Sequence, residues 1–224
     1  MTESKAQHIS SLRIAPLQRA DLAQSARMHR MLLPHGLFPR LGDRFMRRWH
    51  RTFVDSPHGV ALGAVDEQGN MHGFLLATTD QVMYTRSVLA SARRALAWRG
   101  ALALAIRPAV AAQFMRTRSV RYLKRLLPAR SQDLGASTPA AAQVGVLHAV
   151  AALPAARGQG VGAALLGEYV RLAAAGGTPL MQLITRDTDG AADFYRGQGW
   201  VITDRRLDRD GHAVVQLDYV PGKA

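Results

Sequence analysis

The chain has 224 residues, long enough for one domain with a sizeable core or one domain plus a substantial insertion, and its hydrophobic fraction of 48% is ordinary for a globular protein. It contains no cysteine, which excludes disulfides, thiolate nucleophiles and cysteine metal sites, and its eight histidines show no metal-ligand spacing. The formal charge of +13 is concentrated: residues 81–132 hold 11 Lys/Arg and no Asp or Glu, leaving 18 basic against 16 acidic residues elsewhere, so the excess calls for a local explanation.

In chain order, residues 11–15 (SLRIA) predict a first strand, and Leu22, Ala26, His29 and Leu33 recur at helical spacing until Pro34. After the loop PHGLFPRLG, Asp43 opens a second helix over 43–54, with Phe45, Trp49 and Phe53 on one side. Residues 59–66 and 71–79 flank the turn Glu67-Gln68-Gly69-Asn70 and predict a hairpin. Two helices, over 84–106 and 109–127 and separated near Arg107-Pro108, are expected in the basic segment. The stretch 128–143, rich in Pro, Ala, Ser and Gln, is expected to be a mobile loop.

Residues 144–152 predict a largely buried strand in which Val146, His148, Val150 and Ala152 alternate with Leu147, Ala149 and Ala151. Pro154 ends it. Val161, Leu165, Tyr169 and Leu172 then mark a helix that stops at Gly176-Gly177. Between strand and helix stands Arg157-Gly158-Gln159-Gly160-Val161-Gly162. Glycines at a helix entry let a ligand reach main-chain N–H groups that lack internal partners, at the positive end of the helix dipole, so this turn suits a phosphate or pyrophosphate. No Gly-Lys-Ser/Thr follows, which excludes a P-loop, and the third glycine of a dinucleotide fingerprint is missing. A strand at 180–185, a helix at about 189–197 and a hairpin of 200–206 with 212–219 complete the expected order.

The glycine turn resembles the pyrophosphate-binding signature Arg/Gln-x-x-Gly-x-Gly/Ala of the GCN5-related N-acetyltransferases, the GNAT superfamily, with Arg157, Gly160 and Gly162 on its fixed positions. Ala191-x-x-Phe194-Tyr195-x-x-x-Gly199-Trp200 resembles the family's A-x-x-x-Y-x-x-x-G-F segment at the right distance downstream. The resemblance is strong over 144–206, architectural over 11–80, and does not cover the insertion. It implies an α/β GNAT fold over 1–224, a mixed central sheet flanked by helices, with the basic helical insertion between the third and fourth strands. It also implies acetyl-CoA or another acyl-CoA as co-substrate and no metal. Arg157, Gly158, Gly160, Gly162 and Ala163 would take the pyrophosphate, and Val150 and Ala152 the pantetheine arm. Thr188 stands where the family has an asparagine, and its hydroxyl, of shorter reach, would meet a pantetheine amide.

The same resemblance assigns Tyr195 to the general-acid position facing the departing sulfur; the alternative is an aromatic that packs on the cofactor or the core. Leu147-His148-Ala149-Val150-Ala151 resembles the L-H-x-L-A stretch of arylalkylamine N-acetyltransferases, where the matching histidine belongs to a proton-removal path. The partner histidine two positions earlier is Val146 here, so a structural histidine inside the strand stands beside the catalytic reading. With an ordinary imidazole pKa, such a base predicts a pH dependence near neutrality. Failing it, water or Asp43, Asp66 or Asp80 are the other bases to consider.

The expected activity is N-acyl transfer, most simply acetyl transfer, to a primary amine by direct attack in a ternary complex. Small-molecule and peptide amines are both admitted as acceptors. The alternatives are a longer acyl chain delivered by acyl-CoA or an acidic acyl carrier protein, and a non-catalytic module that binds acyl-CoA or nucleic acid. The basic segment 81–132 could meet a carrier protein or another anionic surface, or pack in a homodimer; no nucleic-acid-reading motif accompanies it. The N-terminus lacks the apolar core of a signal peptide, which makes a cytoplasmic enzyme the expectation.

Overall fold

A computed structural model describes residues 12–35, 37–91, 143–188, 190–208 and 211–222. Strands β1 (Arg13–Pro16), β2 (Gly59–Val65), β3 (Met71–Thr78), β4 (Val144–Ala152), β5 (Leu180–Arg186), β6 (Val201–Leu207) and β7 (Ala213–Tyr219) form one mixed sheet in the order β1-β2-β3-β4-β5-β7-β6. All neighbours are antiparallel except β4 and β5. Between β1 and β2 lie helices α1 (Leu22–Leu32), α2 (Leu37–Arg40) and α3 (Asp43–Asp55); α4 (Gln81–Ser91) follows β3, α5 (Val161–Ala175) follows β4, and α6 (Ala191–Arg196) follows β5. This is the α/β fold expected from the sequence. The short α2 occupies what the sequence suggests is loop.

Alternation along the central strands sends side chains to two separate cores. Val60, Leu62, Leu75, Ala77 and Leu147 meet Val161, Leu165, Leu166 and Tyr169 of α5 on one face. Ala61, Phe74, Leu76 and Ala149 meet Met28, Phe53 and Tyr84 from α1, α3 and α4 on the other. The helix α3 is strongly two-sided: Phe45, Met46, His50 and Phe53 are buried, whereas Arg44 and Arg47 are exposed. Fully burying an aromatic or aliphatic chain such as Phe53 or Met46 stabilises by about 1.5–3 kcal/mol, which outweighs the helix propensity of any single residue in the element.

Of the segment between β3 and β4, the structure describes helix α4. The helix starts at Gln81, three residues earlier than the apolar spacing suggests, because Asp80 accepts hydrogen bonds from the N–H groups of Val82 and Met83, both at 2.9 Å. Its expected continuation to 106, the second helix at 109–127 and the loop to 142 lie outside the described residues.

Candidate active site

The strict alternation expected in β4 fails at one residue. On β3, Leu76 faces Ala149 and Ala77 faces Leu147, so His148 is the extra residue of a β-bulge. The extra residue changes which side chains share a face. Leu147, Val150 and Ala152 lie toward α5, while Ala149 and Ala151 lie toward α1 and α3. His148 joins the latter side, where Phe53, Tyr84 and Trp49 surround its ring at centroid distances of 5.1, 6.1 and 6.4 Å. It is exposed to solvent despite these neighbours. The surrounding protein lowers its pKa to about 4. Solvent access opposes that shift, and the direction suffices here: the imidazole is neutral at pH 7.

The hydrogen bonds around Gln81 fix which nitrogen carries the proton. The Thr85 hydroxyl donates to the main-chain carbonyl of Gln81 at 2.7 Å, so it can only accept from the Gln81 side chain, whose Nε2 lies 3.4 Å away. Gln81 Oε1 therefore faces the other way, accepting from Thr78 Oγ1 at 3.0 Å and standing 2.9 Å from His148 Nε2. A carbonyl oxygen offers only lone pairs, so Nε2 donates and Nδ1 keeps its lone pair. Thr78 Oγ1 in turn accepts from the N–H of Val146 at 3.1 Å, tying the group to β4. The sequence reading missed Gln81. Its only signal is a position just after Asp80 at a helix start, which says nothing about a histidine 67 residues away.

The parallel pairing of β4 with β5 covers only Val144–Val146 against Leu180–Gln182. Beyond it the two strands part, and the edge of β4 that carries Val150 and Ala152 is unpaired on the β5 side. At the end of that edge the chain makes a short 3-10 turn (Pro154–Ala156) and enters α5 through Gly158 and Gly160, with φ of 73° and 77°. Helix α5 has no side-chain cap and no acid in its first turn, so the N–H groups of Val161, Gly162 and Ala163 are left for a ligand. Cβ atoms built at Gly158 or Gly160 would have no heavy atom within 4 Å, whereas one at Gly162 would lie 3.3 Å from the Phe194 ring. The first two positions keep open the approach to the amides, and the third lets α6 pack close. Arg157 is exposed at the same turn.

Tyr195 lies on α6, half-buried, with ring centroids 5.1 Å from Phe194 and 6.2 Å from Trp200. Burial pushes its phenol up to about 12, so it holds its proton at neutral pH. Thr188 is exposed in the loop between β5 and α6. The three carboxylates weighed as alternative bases are all engaged. Asp43 binds Arg30 at 2.5 Å, Asp80 caps α4, and Asp66 organises the β2–β3 turn. The hydrogen bond from His72 is the largest factor lowering the Asp66 pKa, to about 2. Among the described residues no group of three or more His, Asp or Glu is arranged to hold a metal ion. None of the described helices is long and apolar enough to cross a membrane.

A sheet split beside an uncapped, glycine-led helix defines the GNAT fold. Residues 126–200 match the model of the acetyltransferase (GNAT) family. Among solved structures it is similar to a GCN5-related N-acetyltransferase from Kribbella flavida, at 14% identity and a TM-score of 0.60, covering 94% of this chain and 98% of that one. It is similar to Arabidopsis thaliana NAA60 in complex with acetyl-CoA, at 13% identity and 0.57, covering 94% and 99%. It is also similar to an aminoglycoside 6'-N-acetyltransferase complexed with coenzyme A, at 12% and 0.56, covering 93% and 96%. At these identities the likeness concerns the fold alone. No curated protein sequence matches the chain.

Proposed function

We propose that the protein transfers an acetyl group from acetyl-CoA to a primary amine by direct attack, with His148 as proton acceptor and Tyr195 as proton donor. The observation that carries this reading is one continuous edge: the side of β4 left free by β5 runs from His148 to the uncapped start of α5. The pyrophosphate would rest on the amides of residues 161–163 beside Arg157, and the pantetheine arm along Val150 and Ala152, with Thr188 at the far wall. Crystals of structural neighbours hold coenzyme A or acetyl-CoA, which supports an acyl-CoA co-substrate here.

The co-substrate supplies a thioester. The acceptor nitrogen forms a bond to its carbonyl carbon, the carbon–sulfur bond breaks, and the amine must lose one proton while the sulfur gains one. A free amine has a pKa of about 10.4, so removing its proton is the harder demand at pH 7. His148 Nδ1 is the lone-pair nitrogen beside the acceptor wall, fixed by Gln81. Tyr195, protonated at working pH, can return a proton to the thiolate.

The test is the pH profile. A neutral imidazole with a lowered pKa has no titration near 6.5, so the dependence near neutrality suggested by an ordinary histidine is replaced by an acid limb well below it. His148→Ala is expected to lower kcat about 10²-fold or more, within the range of general-base contributions, and to remove that limb while acetyl-CoA affinity stays unchanged. An unaltered kcat and profile would return His148 to a packing role. Gln81→Glu gives the complementary sign. A carboxylate beside Nε2 favours imidazolium, so the acid limb should move upward toward neutrality. Stopped-flow release of free thiol across pH 4–8 reads both variants.

A further inference from the structure

Helix α3 presents Arg44, Arg47, Arg48 and Arg51 at spacings of three and four, on one face. Arg51 is held by Asp55 at 2.8 Å, and Asp55 also accepts from Arg19 at 2.9 Å, so the acid at the end of this helix is already matched by two guanidinium groups. The other acid, Asp43, is matched by Arg30. No ion pair holds Arg44, Arg47 or Arg48 among the described residues.

Arg48 differs from its neighbours. Its Nε–H is buried and has no hydrogen-bond partner among the described residues. The side chain lines a cavity of about 270 Å³ between α3 and α4, whose other described walls are Arg51, Thr52, Asp55, Ser56, Ser87 and Val88. The Arg48 side chain thus brings to the cavity wall a positive charge that no ion pair among the described residues neutralises, and a guanidinium is suited to pair with a carboxylate or phosphate. Residues 81–132, of which α4 is the described part, contain no acid.

The cavity is placed to serve the same reaction. Thr52, on its wall, shares a 2.6 Å hydrogen bond with the Tyr84 hydroxyl, and Tyr84 and Phe53 flank His148. Along α4 the histidine is held by Gln81, while Val88 borders the cavity; seven residues of helix span about 10 Å. The amine end and the arginine end of one acceptor can therefore lie along the same pair of helices.

We infer that this cavity binds an oxyanion, a carboxylate or phosphate, belonging to the acyl acceptor, so that the substrate is an amine bearing negative charge about 10 Å from its reactive nitrogen. The inference rests on the acyltransferase reading and adds a charge requirement to it. Polycationic amines, the acceptors named for several proteins of this fold, would meet the unpaired arginines of α3 and be repelled.

The experiment uses acceptors matched in length: aminooctanoate, aminooctyl phosphate, octylamine and diaminooctane. The full-length protein with acetyl-CoA should show kcat/KM at least tenfold higher for one or both anionic acceptors than for octylamine, with diaminooctane lowest. In Arg48→Gln the anionic preference should collapse toward one, and Arg48→Lys should restore part of it. Calorimetric titration of aminooctanoate and aminooctyl phosphate into protein saturated with coenzyme A, which fills the pyrophosphate site, reads the cavity independently of turnover. Binding of either compound that weakens tenfold or more in Arg48→Gln supports the proposal. Equal kcat/KM across the set, preference unchanged in Arg48→Gln, or no binding of either anion overturns it. Failure of coenzyme A itself to bind would instead overturn the acyltransferase reading.

Discussion

Gly160→Val should weaken acetyl-CoA binding by about two orders of magnitude or more, roughly 3 kcal/mol, while the domain remains folded. Gly160 is the N-cap of α5 in a left-handed conformation, φ 77° and ψ 0°, where a side chain costs about 1–2 kcal/mol. A Cβ there strikes nothing in the protein, so the loss of stability stops at that conformational cost and a Tm decrease of a few degrees. The isopropyl group would instead occupy the space through which an anion must reach the first amides of the helix. Gly167→Ala is the control: it lies in the middle of the same helix, its Cβ meets nothing, and alanine there should raise stability by about 0.5–1 kcal/mol with binding unchanged. Calorimetry with acetyl-CoA and thermal melts of both variants decide the matter. Undiminished affinity in Gly160→Val would place the pyrophosphate elsewhere.

The parts of this site that were legible in the sequence are those built from local backbone requirements. Gly158 and Gly160 announce positive φ, and Val161, Leu165 and Tyr169 announce the buried face of the helix they lead into, because both signals are carried by neighbouring residues. The β4 bulge was not legible. Val146, His148, Val150 and Ala152 are separated by two residues each and read as one face, but an inserted residue reverses the facing of everything after it. The same holds for Gln81, whose role depends on a hydrogen bond across 67 residues, and for Arg48, whose unpaired Nε distinguishes it from three other arginines on its helix only once Arg51, Asp55 and the cavity are in place. The charge of the basic segment was legible as composition, yet the arginines assigned a role here stand outside it, on α3.

Acid should destabilise the domain well above the pH at which its carboxylates protonate. In the wall opposite α5, Ser25 Oγ lies 3.0 Å from His50 Nδ1, and His50 Nε2 lies 3.1 Å from His29 Nδ1, so one proton is shared along the His50–His29 contact. Phe74 lies against both rings, at centroid distances of 5.3 and 5.6 Å, and Trp49 covers His29 at 5.4 Å. Burial lowers the His29 pKa to about 4; burial and then repulsion from His29 hold His50 well below 6.5. Both folded-state values lie under that of an unfolded histidine, so as pH falls from about 6.5 toward 4 the unfolded chain takes up protons that the folded chain refuses. Stability is therefore intact above pH 6.5 and falls by up to ~1.4 kcal/mol per pH unit for each ring, on the order of 2 kcal/mol each between pH 7 and 5. Urea unfolding at pH 7.5, 6 and 5 should show the midpoint dropping across this window, and in His29→Phe the slope should become shallower, since one of the three histidines held below 6.5, His29, His50 and His148, is gone. A stability that stays flat from pH 7.5 to 5 would mean that water reaches these rings. The consequence extends to the site, because Trp49 and Phe74, which hold this pair, also border the ring of His148 or the strand that carries it: protonation here should loosen the packing around His148 as well.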